Sequence, residues 1–166
     1  MRVVLCTLLA ATVIAVACGG GSDIDERGIT KNCNPESNAP VRTEGETFTT
    51  RGGVEVVVLT EASEVNPAQE NDQIAAHFAG SLTDGTEFSN SREQLNGPLE
   101  FAINTDGVIC GWVEGVVGMS PGEVRKLTIP PELAYGHGGF GDLIPPDATV
   151  VFVVEMVDFV QPEPVE

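Results

Sequence analysis

Residues 108–118 read VICGWVEGVVG and hold the chain's only tryptophan, Trp112. Trp112, Val113, Val116 and Val117 follow at steps of one, three and one, which puts a broad apolar face on a short helix. Gly111 and Gly115 each cost such a helix about 1 kcal/mol relative to alanine, so local propensity does not build it. Packing must. The flanking segments are β-rich, which suggests a sheet wrapped around one short helix, with Trp112 buried between the two.

Upstream of the helix, residues 98–103 (PLEFAI) alternate as a strand does, and Thr105-Asp106-Gly107 turns the chain inward. Further back, Val54, Val56 and Val58 line one face of a strand over 54–59, and Asn66-Pro67 marks a turn. Residues 72–82 (DQIAAHFAGSL) predict a second strand, and Asp84-Gly85 supplies hairpin chemistry before residues 86–89. Residues 91–97 read as a polar loop. Downstream, Ser120-Pro121-Gly122-Glu123 is a turn, residues 124–129 a strand, and residues 130–144 a glycine-rich loop. Residues 149–159 (TVVFVVEMVDF) form a nearly continuous apolar run, the pattern of a strand central in its sheet. The sum, over residues 53–160, is an α+β domain of about five antiparallel strands and one short helix, without repeats.

The two ends differ in kind. Residues 1–18 open with Met1-Arg2, continue through an apolar run over 3–17 and stop at Cys18. That run is shorter than the roughly 20 residues needed to span a bilayer and describes a secretory signal peptide. Ile14-Ala15-Val16-Ala17-Cys18 resembles a bacterial lipoprotein cleavage site, although the usual leucine three residues before the cysteine is Ala15. The resemblance implies lipidation of Cys18, a membrane anchor and an exported protein at the cell envelope, on its periplasmic or outer face. Residues 19–52 are rich in Gly, Ser, Asn, Pro and Glu and read as a flexible tether, and residues 161–166 (QPEPVE) as a flexible tail. Cys33 and Cys110 remain outside the signal. An oxidising location permits a disulfide between them, and two thiols fit the sequence equally well.

Charge and motif exclude several chemistries. The formal charge is −17, and residues 1–18 contribute only Arg2, so the remainder is more acidic still. Nucleic-acid binding rests on lysine and arginine and is excluded. His77 and His137 make no metal-ligand spacing with the acids, and His77, between Ala76 and Phe78, reads as structural. No nucleophile elbow is present, and Cys110 has no nearby base in sequence. GHGGFG at 136–141 matches a dinucleotide fingerprint, but Pro145-Pro146 follows where that fingerprint needs a helix. What remains is apolar and aromatic: Phe78, Phe88, Leu99, Phe101, Val108, Ile109, Trp112, Tyr135, Phe140 and Phe152. Each alone reads as core, Phe101 most of all. Tyr135 and Phe140 sit in a loop beside glycine and proline, where a binding role is more natural.

Four ordered blocks carry a family resemblance: HFAGSLTDGTEFSNS at 77–91, VICGWVEGVVGMSPGE at 108–123, KLTIPPELAYG at 126–136 and IPPDATVVFVVEM at 144–156. They resemble the FKBP-type peptidyl-prolyl cis–trans isomerases over about residues 53–159. The resemblance implies a five- to six-stranded twisted antiparallel sheet around one short helix. It implies isomerisation of X-Pro bonds in folding proteins by a monomer without cofactor or metal, and binding of rapamycin-like macrolides. It implies that a proline ring rests on Trp112, that Phe88, Val108, Ile109 and Phe152 wall it, and that the Ile109 N–H and the Tyr135 hydroxyl meet ligand carbonyls. Four positions depart from the family pattern. Phe78 stands where a tyrosine is usual and Ser89 where an acid is usual, so both ends of a hydrogen-bonded pair are absent together. Leu99 replaces a wall phenylalanine, and Phe140 a loop histidine. A more apolar, reshaped pocket is the expectation, and a proline-binding chaperone or scaffold with little turnover is the alternative reading.

Overall fold

The computed structural model describes residues 29, 33, 35, 42–95, 97–104 and 107–160. The signal segment with Cys18, most of the tether over 19–52 and the tail over 161–166 lie outside the described residues.

Seven strands form one antiparallel sheet: β1 (Thr47–Thr49), β2 (Glu55–Thr60), β3 (Gln73–Leu82), β4 (Glu87–Asn90), β5 (Leu99–Ala102), β6 (Val124–Ile129) and β7 (Val150–Phe159). Their order is β1-β2-β6-β7-β3-β4, with β5 also on β3. β5 pairs with Gln73 to Ala76 and β4 with Ala79 to Ser81 along the same edge of β3. Seven strands therefore make a sheet six wide, within the predicted range. β7, the continuous apolar run, lies between β6 and β3 at the centre.

Three boundaries differ from the sequence reading. β1 falls inside the stretch read as tether: Thr47, Phe48 and Thr49 pair with Val57, Val56 and Glu55. The low apolar content of 19–52 hides a strand whose partners lie beyond it. The polar loop over 91–97 opens with a one-turn helix, α1 (Ser91–Gln94), because the Asn90 side chain accepts from the Arg92 N–H as an N-cap. The glycine-rich loop holds two 3-10 turns, Pro131–Leu133 and Gly136–Gly138.

The predicted central helix is α2 (Cys110–Val116), and every residue of it is buried. Its glycines are explained by β6. A Cβ at Gly111 would run into the Ile129 side chain and one at Gly115 into Leu127, both fully buried. Without those side chains the helix lies close on the sheet, and the contact outweighs the lost propensity.

Two charged clasps hold α2. Arg125, 1% exposed on β6, donates from Nη1 to the carbonyls of Gly115 (2.9 Å) and Val117 (3.1 Å), satisfying helix-end acceptors. Its Nε donates to buried Glu123 at 2.7 Å, and Glu123 accepts from the Ser120 N–H. Burial draws the Arg125 pKa down, and Glu123 opposes that shift. On the other side, Glu114 accepts from the Thr50 hydroxyl (2.6 Å) and the Gly52 N–H (2.8 Å), fastening the β1–β2 turn to the helix.

Two substitutions test this seating. Gly115→Ala, favourable by propensity, is expected to destabilise by about 1 kcal/mol or more because Leu127 has nowhere to go. Arg125→Met leaves Glu123 buried beside uncapped carbonyls and should cost about 3 kcal/mol. Urea midpoints at constant slope measure both; an unchanged midpoint for either refutes the corresponding contact.

Candidate functional site

Trp112 is 4% exposed and takes ring edges from three sides. Phe78 on β3 stands 5.2 Å away, Phe101 on β5 5.3 Å and Phe152 on β7 5.3 Å, at interplanar angles of 64° to 84°. Edge-on packing suits the ring quadrupoles and leaves the indole held from its periphery. Phe88 on β4 extends the set through Phe152 at 5.6 Å. Phe152 is buried, while Phe78, Phe88, Leu99, Val108, Ile109 and Tyr135 are half-buried and packed against the same core. A buried indole with a collar of half-buried apolar side chains makes a floor with walls.

Backbone geometry arranges the walls. β3 and β7 pair Gly80 with Phe152, and β3 and β4 pair Gly80 with Ser89. A Cβ on Gly80 would strike the rings of Phe152 and Phe88, so this glycine makes the space those two walls occupy. Ser91, fully buried, accepts from the Phe78 N–H (2.8 Å), donates to the Phe78 carbonyl (3.2 Å) and lies 3.2 Å from His77 Nδ1. His77 thus joins a structural clasp that fixes Phe78, the role its strand position suggests. The Ser89 hydroxyl donates to Gln94 Oε1 at 2.9 Å, tying β4 to α1.

Ile109 precedes α2 with extended backbone, and its carbonyl accepts from the N–H groups of Trp112 and Val113. Its own N–H has no acceptor among the described residues. Beside the half-buried collar, that donor suits a ligand carbonyl.

Tyr135 and Phe140 form a second aromatic pair, with ring centroids 5.6 Å apart. Tyr135 packs on the core, and Phe140 is 59% exposed. The loop is closed by Phe140 N–H to Ile144 carbonyl (2.9 Å), Asp147 N–H to Gly136 carbonyl (3.0 Å) and a contact between His137 Nδ1 and Asp147 Oδ1. Gly139 has φ of 61°, and a Cβ there would meet the backbone of Ile144 and Pro145. The glycines of GHGGFG serve this tight loop, and no helix follows them. Among the described residues no three His, Cys, Asp or Glu side chains come together as a metal site.

Cys33 and Cys110 are bonded to each other, with Cα atoms 5.1 Å apart. Of the two alternatives left by the sequence, the disulfide is the one formed, at the first residue of α2. Sequence reading missed three positioning residues. Gly80 carried a signal, an isolated glycine inside a strand pattern. Glu114 and Arg125 carried none, because their partners are 62 and 10 residues away.

The candidate site is thus a buried indole ringed by phenylalanine edges, half-buried apolar side chains packed on the same core, and a backbone donor without an acceptor among the described residues. A family described as FKBP-type peptidyl-prolyl cis-trans isomerase matches residues 64–157, and the chain belongs to it. FK506-binding protein 2 of Yarrowia lipolytica is 49% identical over 90 residues, 54% of this chain and 62% of that protein. FK506-binding protein 1 of Dictyostelium discoideum is 44% identical over 108 residues, 64% of this chain and 98% of that one. The crystal structure of FkpA from Escherichia coli is similar with a TM-score of 0.63 and 40% identity, covering 75% of this chain and 55% of that chain. The match therefore spans less than two thirds of the Yarrowia protein and about half of FkpA.

Burial raises the Tyr135 phenol above its ordinary pKa of 10.0 by disfavouring the phenolate. As the only tyrosine, it reports alone in an ultraviolet titration. The folded chain should titrate above the urea-unfolded chain, and the stability this neutral phenol contributes should persist below pH 10 and fall as pH rises through the folded pKa. Coincident titration curves would place Tyr135 in water, outside the wall.

Proposed function

We propose that this chain is an exported prolyl isomerase that accelerates cis–trans exchange at X-Pro bonds of folding envelope or secreted proteins. In this reading it acts as a monomer, carries a lipid on Cys18 that anchors it to the cell envelope, and also takes rapamycin-like macrolides. The observation that carries the catalytic part is the buried Trp112 within half-buried apolar neighbours, with the Ile109 N–H lacking an acceptor among the described residues. The export part rests on the basic start, the apolar run over 3–17 and Cys18. Macrolide binding is supported by the FK506-binding relatives.

No nucleophile is needed for this reaction. Amide resonance sets a barrier of about 18–20 kcal/mol to rotation about a peptide bond, and X-Pro exchange takes tens of seconds or longer. At the twisted transition state that resonance is lost and the carbonyl is less polar. An apolar pocket therefore favours the twisted form over the planar ones, relative to water. The proline ring sits on Trp112 between Phe88 and Phe152, the Ile109 N–H holds the flanking carbonyl, and the Tyr135 hydroxyl offers a second donor at the rim. Phe78 stands in place of the family's tyrosine and Ser89 in place of its acid, and the Ser89 hydroxyl donates to Gln94. The pocket works by shape and dryness rather than by a charged group.

Exchange NMR on an Ala-Phe-Pro peptide tests turnover, using the chain from residue 19 onward. Accelerated exchange, abolished by rapamycin and reduced roughly tenfold in Phe152→Ala (about 1.4 kcal/mol of transition-state stabilisation), is expected. Peptide shifts without added exchange would replace the isomerase with a proline-binding scaffold. For the anchor, Cys18→Ser should move the protein from the membrane to the soluble fraction of a producing bacterium; retention in the membrane refutes lipidation at Cys18.

A further inference from the structure

The helix that carries the pocket floor has holds of two kinds. At its C-terminal end Arg125 donates to the carbonyls of Gly115 and Val117, and midway Glu114 accepts from Thr50 and Gly52. Those hydrogen bonds are indifferent to redox conditions. At the first turn, where Ile109 provides no side-chain cap, the hold is covalent: the Cys33–Cys110 disulfide. Cys110 follows Ile109 directly and precedes Trp112 by two residues. The redox-sensitive hold is thus at the end of α2 that presents the floor and the N–H donor.

We propose that this disulfide is a control on the prolyl site: oxidised, it fixes the first turn of α2 for substrate, and reduced, it lets that turn loosen and turnover fall. The inference rests on the isomerase reading above. Cys110 is 3% exposed and Cys33 is half-buried, so a reductant reaches the Cys33 sulfur first. A thiolate of a dithiol attacks Cys33, the sulfur–sulfur bond breaks, and Cys110 leaves as a thiolate that takes up a proton. The dithiol's second thiol then displaces Cys33 as a thiol. The dithiol gives up two electrons and two protons and closes to its own disulfide; the chain gains both.

The N–H groups of Trp112 and Val113 bond the Ile109 carbonyl at 3.0 and 3.3 Å, so their hydrogen exchange reads the first turn directly. The oxidised chain, the same chain in dithiothreitol and the Cys33→Ser variant are compared by peptide exchange NMR and amide hydrogen exchange. Reduction and Cys33→Ser should each lower kcat/KM about tenfold and speed amide exchange at Trp112 and Val113, with Leu127 in β6 unaffected. Reoxidation should restore the parent chain, and dithiothreitol should leave Cys33→Ser unchanged. Equal kcat/KM and equal amide exchange in both redox states overturn the proposal. So does loss of protection at Leu127, which would make the bond a staple of the whole fold. If the oxidised chain binds peptide without turnover, the isomerase reading fails by itself. The ratio of peptide Kd in the two redox states then decides the control, and a ratio of one ends it.

Discussion

The close seating of α2 on β6 is the contact on which the rest depends. Gly111 and Gly115 lack the side chains that would hold the helix away from Ile129 and Leu127, so seven residues with poor helix propensity are pressed against a sheet. That distance decides where Trp112 stands. With the helix lower on the sheet, the indole comes within 5.2–5.3 Å of three phenylalanines on three different strands. A methyl group at either glycine would push Trp112 away from those rings.

Charge does a different task here from the one the composition suggests. The net charge of −17 is mostly a property of the surface, while the acids that matter structurally are the buried Glu114 and Glu123. One fastens the β1–β2 turn to the middle of α2, and the other orients Arg125 against the helix's last carbonyls. The Glu123–Arg125 pair is buried on both sides and Glu114 is itself buried, so each removed partner would leave a costly orphan.

The loop over 130–149 shows how the same residue types serve separate ends. Its glycines and prolines make a tight closure through Phe140, Ile144 and the Gly136–Asp147 bond. That closure sets Tyr135 into the core edge while leaving Phe140 outward. The sequence pattern that mimics a phosphate-binding fingerprint is, in space, the packing requirement of this turn.

Much of the fold was legible because strands and helix announce themselves by period: the alternation at 54–59, the continuous run at 149–159 and the one-sided apolar face around Trp112 are local properties of neighbouring residues. The family blocks were equally legible, and they named Phe88, Ile109, Trp112, Tyr135 and Phe152 together. β1 was hidden because a three-residue strand owes its existence to a partner, not to its own composition. Gly80, Glu114 and Arg125 acquire meaning only from side chains brought to them by pairing register. The sequence by itself determined the class of domain, the apolar character of the site and the candidates for its floor and walls. Tertiary structure alone decided that Cys33 bonds Cys110, that Ser89 turns to Gln94, and that Tyr135 packs on the core while Phe140 is exposed. The physical reason is range: periodicity and turn chemistry act over a few residues, whereas a wall, a clasp or a disulfide is a distance between segments that only the folded chain sets.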